Sequence, residues 1–214
     1  RRSLHREVAG MLGSMAVAKA QRASRSDPEA RRDQMIDVAL VAFADRGYPG
    51  VELKEIASEV GVTPNLIHHY FPGGKSELHL EAVKRACAQL AEIHDSSAEA
   101  TVGDKMPTNI SRYLDEALVP TDRWKLYTRS LRSADDDLRA YAIATRQAVV
   151  EGMALNHLGI ANPPPAVRAL FFGLFGFLED AAEEWRIESI GDREKLENLI
   201  MTVILAGLAA TAAE

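Results

Sequence analysis

Between residues 52 and 76 the chain reads ELKEIASEVGVTPNLIHHYFPGGKS, and this stretch limits the possible folds more tightly than any other. Two short helical patterns, Leu53-Ile56-Ala57-Val60 and Leu66-Ile67-Tyr70-Phe71, are separated only by Gly61-Val62-Thr63, which predicts a tight helix-to-helix turn. Gly61 suits the position just past a helix, where the backbone turns out through positive φ. The Thr63 hydroxyl is placed to accept the first free N–H groups of the next helix, and Pro64 at the first helical position gives up no intrahelical bond. Two helices joined by a short Gly-containing turn form a helix-turn-helix, and the second helix of such a unit can enter the major groove of DNA.

A net charge of −6 argues against a nucleic-acid partner only if the charge is evenly spread. Up to residue 94 there are thirteen Lys/Arg against twelve Asp/Glu, and beyond it twelve against nineteen. The acid sits in the second half, and an acidic body facing away from a duplex leaves a local basic footprint to bind phosphate. Apolar residues at 47% and charged residues at 26% exclude disordered and fibrous classes. With Cys87 the single cysteine, no intramolecular disulfide or cysteine-rich zinc site can form, and a reducing cytoplasm fits. The most apolar run, residues 166–178, ends in acid at Glu179 and falls short of the roughly 20 residues that span a bilayer, so no membrane role is expected.

Residues 1–27 form a basic extension: Leu4, Val8, Met11, Leu12 and Met15 recur at helical spacing, but Glu7, Gly10, Gly13 and Ser14 interrupt any signal-peptide pattern. Lys19, Arg22, Arg25, Arg31 and Arg32 then lead into the first clear helix, as a solvated tail or as an arm laid on phosphates or in the minor groove. Asp27-Pro28-Glu29 marks that helix's start. Met35, Val38, Ala39, Ala42 and Phe43 share one face before Arg46-Gly47-Tyr48-Pro49-Gly50 ends it. Residues 28–74 thus read as the DNA-binding unit. Pro72-Gly73-Gly74 breaks the chain, and a long helix over residues 75–93 leads into residues 75–214. That second part reads as helices near 107–118, 122–133, 136–157, 165–187 and 192–212, with Pro107, Pro120 and Asn162-Pro163-Pro164-Pro165 at the breaks. The fold class is all-α. Residues 165–187 are apolar almost all round, and the last helix carries a wide apolar stripe with small residues at Ala206, Gly207, Ala209 and Ala210. Such helices need partners, and the packing rules predict a homodimer through the last two helices.

Several patterns invite other chemistry. His68-His69 cannot share a metal, because neighbours on a helix point about 100° apart. Gly74-Lys75-Ser76 copies the end of a phosphate-binding loop, yet the required first Gly falls on His69 and no strand precedes it. Asp135-Asp136-Asp137 reads as a helix start, where acid complements the dipole. Glu179-Asp180 and Glu183-Glu184 read as a wet face, with the alternative that one acid meets a cationic ligand or partner. No nucleophile–base pair, metal set or cofactor motif stands out, and no buried polar constellation is apparent.

The stretch ALVAFADRGYPGVELKEIASEVGVTPNLIHHYFPGGKSEL at 39–78 resembles the DNA-binding domain of the tetracycline-repressor (TetR) family, from Phe43 and Gly47-Tyr48 through Ile56-Ala57, Gly61-Val62 and Phe71 to Lys75 and Leu78. Later helices match in number and length only. The resemblance implies an N-terminal three-helix helix-turn-helix domain followed by a helical ligand-binding and dimerisation domain. Three departures stand out. Val51 and Glu52 replace the usual hydroxyl residues, leaving the second helix without its usual cap and a carboxylate for Lys54 to offset. His68-His69-Tyr70 replaces the common Tyr-Tyr-His. Phe71 to Lys75 spans four steps instead of three.

Ile67 and Phe71 recur on the buried side of the recognition helix, so Pro64, Asn65, Leu66, His68 and His69 are expected to face outward. Asn65 can hydrogen-bond a base edge, Leu66 can meet a thymine methyl, and the histidines can reach base or phosphate. With Lys54, Thr63, Tyr70 and Lys75, these make the expected DNA contacts. Tyr113, Trp124, Tyr127, Met153, Phe172 and Phe175 are candidates for an effector pocket, with core packing the alternative for each. The resulting expectation is a dimeric repressor of double-stranded DNA, released from a palindromic operator by an unidentified small molecule. A ligand-independent DNA-binding or scaffold protein, or an all-helical enzyme, is the alternative.

Overall fold

The computed structural model describes residues 27–94, 102–187 and 192–211, which form helices joined by short turns, with no strand among them. In chain order they are α1 (Pro28–Arg46), α2 (Leu53–Val60), α3 (Pro64–Tyr70), α4 (Gly74–His94), α5 (Val102–Leu118), α6 (Asp122–Leu131), α7 (Asp136–Leu158), α8 (Pro165–Ile187) and α9 (Arg193–Thr211). Most of the basic extension, with Lys19, Arg22 and Arg25, lies outside the described residues.

Local chemistry sets most of the boundaries. Asp27 Oδ1 accepts from Glu29 N at 3.0 Å with Pro28 at the first position, so the expected start of α1 is observed. Asp135 Oδ1 likewise accepts from the Asp137 and Leu138 amides at the start of α7. Pro107 does not break the chain as expected: it lies within α5 on an exposed face. There it removes one backbone donor, which the remaining turns of the helix tolerate.

Phe43, Met35, Ile56, Ile67, Phe71 and Leu78 are fully buried and knit α1 to α4 into one core. Burying an apolar side chain of this size contributes on the order of 2 kcal/mol. Arg85 on α4 ties Asp33 and Asp37 of α1 at 2.5 and 2.8 Å. Arg32, expected in a solvated tail or a phosphate-binding arm, pairs with Glu81 at 2.6 Å and lies over the Phe71 ring. α6 packs on both α1 and α4. Arg129 Nη1 donates to Phe43 O at 2.8 Å, at the end of α1 where Gly47 (φ 70°) leaves room for the guanidinium.

The outer faces of α8 and α9 are small and apolar: Ala166, Ala169 and Gly173 on one, Leu199 (48% exposed), Leu205 (57%), Ala206 and Ala209 on the other. No described helix is long and apolar enough to cross a membrane.

Candidate functional sites

The turn between α2 and α3 follows its residues. Gly61 adopts φ 75° and ψ 38°, and its successor Val62 donates back to Ala57 O at 2.8 Å. Pro64 opens α3 as expected, but the Thr63 side chain makes no capping bond and stays exposed. Its backbone carbonyl takes the Leu66 N–H instead. Pro64, Asn65, His68 and His69 are exposed, as their spacing predicts. Leu66, expected to face outward with them, is instead half-buried and packs on the core. Tyr70 is also half-buried, edge-on to His69 at 5.6 Å.

The departure at Val51-Glu52 does not leave α2 uncapped. Glu55 reaches back to the Glu52 N–H at 3.2 Å and is held by Arg46 at 2.7 Å. The bond to Glu52, then Arg46, lowers the Glu55 pKa. Lys54 does offset Glu52: its Nζ lies 2.7 Å from the Glu52 carboxylate, whose hydrogen bond and charge raise the lysine pKa. The fourth step between Phe71 and Lys75 is taken up at Gly74, which adopts φ 65° beneath the His68 ring. The Gly73 N–H donates to Glu77 at 2.7 Å.

Lys75 is placed by the aromatics behind it. Its ammonium sits 4.4 Å from the centre of the Tyr48 ring, and Tyr48 in turn packs against Phe43 and His79 at 6.1 and 5.1 Å. Burial pushes the His79 pKa down to about 4, with Lys75 and Arg129 adding to the shift and Asp135 opposing it. Uncharged His79 is therefore part of the support under Lys75.

The second site is a buried polar cluster in the C-terminal helices. Arg146 and Glu179, each 8% exposed at the side chain, are hydrogen-bonded to one another. Arg146 Nε also donates to Tyr127 Oη at 3.0 Å, and Tyr113 Oη donates to Glu179 at 3.5 Å. The guanidinium lies within 5.8 Å of the ring centres of Tyr127, Phe172 and Phe175. Burial opposes its charge, but Tyr127 and Glu179 outweigh it and the pKa rises. Burial pushes the Tyr127 hydroxyl up to about 12. Glu179 is thus not on a wet face, and a buried polar constellation does exist. The spacing Ala142-Arg146-Val150-Ala154 on the buried side of α7 is the sequence signal for it.

Four of the pocket candidates, Tyr113, Trp124, Tyr127 and Phe175, line one cavity beside this cluster, and Met153 joins Tyr113 and Phe175 around a second. Phe172 lines neither and faces a surface groove between α7 and α8. Cys87 borders the first cavity, its thiol pushed up to about 11 by burial.

A short helix with an exposed polar face, set by a glycine turn and joined through a long helix to an all-helical body, has the form of a helix-turn-helix unit. Residues 35–82 match the model of bacterial regulatory proteins of the tetR family. The HTH-type transcriptional regulator BetI of Brucella anthropi is 40% identical over 62 residues, which is 29% of this chain and 31% of that protein; the chain therefore matches about a third of that relative's length. BetI of Rhizobium meliloti is 37% identical over 62 residues, covering 29% of this chain and 30% of that protein. A tetR-family regulator from Streptomyces coelicolor superposes with a TM-score of 0.72 at 26% identity, covering 87% of this chain and 84% of its own. FadR of Bacillus subtilis, solved with stearoyl-CoA, shares the fold at a TM-score of 0.62 and 20% identity, over 81% of this chain and 97% of its own. Residues 35–82 thus match the tetR-family DNA-binding region, and most of the chain is similar in fold to a tetR-family regulator.

Proposed function

We propose that this protein is a dimeric repressor that holds a palindromic operator and is released by a small molecule bound among its C-terminal helices. The observation that carries the reading is the placement of α6. Trp124 and Tyr127 on that helix line the first cavity, while Arg129, on the same rod, grips the end of α1. A ligand that moves α6 therefore moves the DNA-binding unit, and by linkage it binds the DNA-bound form less well.

In this reading residues 28–74 are the DNA-binding domain, residues 75–214 bind effector and dimerise, and residues 1–27 are a basic extension. Asn65, Leu66, His68 and His69 read bases, while Lys54, Thr63, Pro64, Tyr70 and Lys75 position the phosphate backbone. The exposed apolar faces of α8 and α9 supply the dimer, which sets two recognition helices about one DNA turn apart. The role calls for no catalytic step, and it is carried out in the cytoplasm.

Selection of binding sites from random duplexes, followed by gel shift, tests this. Recovery of a two-fold symmetric motif supports it; no motif at low salt defeats it. The small present volume of the cavities favours a second reading, in which DNA binding is independent of any ligand. Release of the selected DNA by an added small molecule separates the two.

A further inference from the structure

Two cavities adjoin in the C-terminal helices, and Tyr113 and Phe175 line both. Each has only about 20 Å³ of free space, room for a single water. The two rings meet edge to face at 5.6 Å and form the partition between them. A ligand longer than either space would have to displace one of these rings to occupy both as one chamber.

The polar groups around this chamber limit what can enter. Glu116, at the first cavity, accepts from both the Arg123 guanidinium and the Thr121 hydroxyl. Arg146 and Glu179 neutralise one another. Every described charge at the first cavity is thus already matched from within the chain. A charged ligand would find no counter-charge left, or would break one pair and strand its other member. The second cavity is lined by apolar side chains apart from Asn109, which is 3% exposed, and Tyr113, whose hydroxyl donates to Glu179. The Asn109 Nδ2 lies 3.1 Å from His157 Nε2, but Oδ1 has no hydrogen-bond partner among the described residues. Exchanging the two amide atoms only changes which one is left over. A buried polar atom left unpaired is a cost that a ligand's complementary group removes.

We propose that the effector is an uncharged, mainly apolar molecule that fills the joined cavities and sets one hydrogen-bonding group against Asn109. The proposal rests on the ligand-released reading above and names the class of ligand for that site. A hydroxyl or primary amide suits Asn109 in either orientation, since each both donates and accepts.

Thermal denaturation of the whole protein with 1-decanol, decanoate or decyltrimethylammonium, at equal concentrations below micelle formation, holds the apolar body constant and varies the head group. Decanol is expected to raise Tm while the two ions do not. A charged ligand that matches or exceeds decanol, or no shift with any of the three, overturns the proposal. Glu179→Gln keeps the shape of the pair and removes the counter-charge of Arg146, so decanoate should bind about tenfold or more tighter than to wild type. Absence of that gain, in a variant whose circular dichroism matches wild type, overturns the charge-matching argument. Asn109→Leu should weaken decanol about tenfold, and unchanged affinity overturns its placement. The same ligands added to the protein–DNA complex keep the two readings apart. Stabilisation by decanol without DNA release supports the ligand class and defeats the ligand-released reading, whereas stabilisation and release by decanoate alone does the reverse.

Discussion

The Arg129 guanidinium and the Phe43 carbonyl oxygen lie 2.8 Å apart although 86 positions separate them in sequence. The bond ties the end of α1 to the helix that carries Trp124 and Tyr127. Arg129→Met should cost about 1–2 kcal/mol, as expected for a part-buried charged donor, read as a lower midpoint in urea denaturation. Gly47→Ala should cost a similar amount, since φ 70° strains any side chain and a Cβ would lie 3.3 Å from Arg129 Nη1.

Folding stability should depend on pH through His79. Its pKa falls from the ordinary histidine value of 6.5 to about 4 on folding, so between those values the unfolded chain binds more protons. Stability is therefore full above about 6.5 and declines as pH drops toward about 4, by roughly 2–3 kcal/mol. His79→Phe retains the stack on Phe43 and Tyr48 and should remove that share of the decline. Denaturation of both proteins across this range gives the difference directly; parallel pH curves would count against the assignment.

Two substitutions in the DNA-binding unit should separate affinity from specificity. Lys75→Ala should weaken all duplexes alike and reduce the salt slope of binding by about 1. Asn65→Ala should relax base preference at one position of each half-site, with a loss of about 1–3 kcal/mol in discrimination. Competition gel shifts at several salt concentrations measure both.

Breaking the buried pair from one side should be worse than removing it. Arg146→Met strands a buried carboxylate and should destabilise by about 3–5 kcal/mol, whereas Arg146→Met combined with Glu179→Leu should recover most of that loss. A double-mutant cycle by chemical denaturation measures the coupling.

Leu205→Glu places a charge on the exposed apolar α9 face and should convert the proposed dimer to a monomer. Sedimentation analysis of wild type and variant over a range of concentrations checks this.

The parts of this fold that were legible in sequence are those fixed by a few neighbouring residues. Gly61, Pro64, Asp27 and Asp135 act within one turn of where they stand, and each appears in its expected role apart from the unused Thr63 hydroxyl beside them. The break expected at Pro107 does not occur, because a proline reports a lost donor without reporting whether the surrounding turns can absorb it. The Glu55 cap was missed because a carboxylate, not a hydroxyl, occupies Glu52. Arg146 and Glu179 are 33 positions apart; the apolar spacing around Arg146 marks its side of α7, but nothing local distinguishes Glu179 from a solvated acid. Five of the six aromatic and methionine candidates gather around the two cavities because size alone drives such residues inward, while Phe172 shows that size does not choose the side.

If a ligand binds as proposed, the two cavities, each no larger than a water, would also set a timescale. A chamber that must open before it can be filled admits its occupant far below the diffusion limit, and the same closure slows escape. Such a regulator would average over brief pulses of its signal and hold its response after the signal has gone.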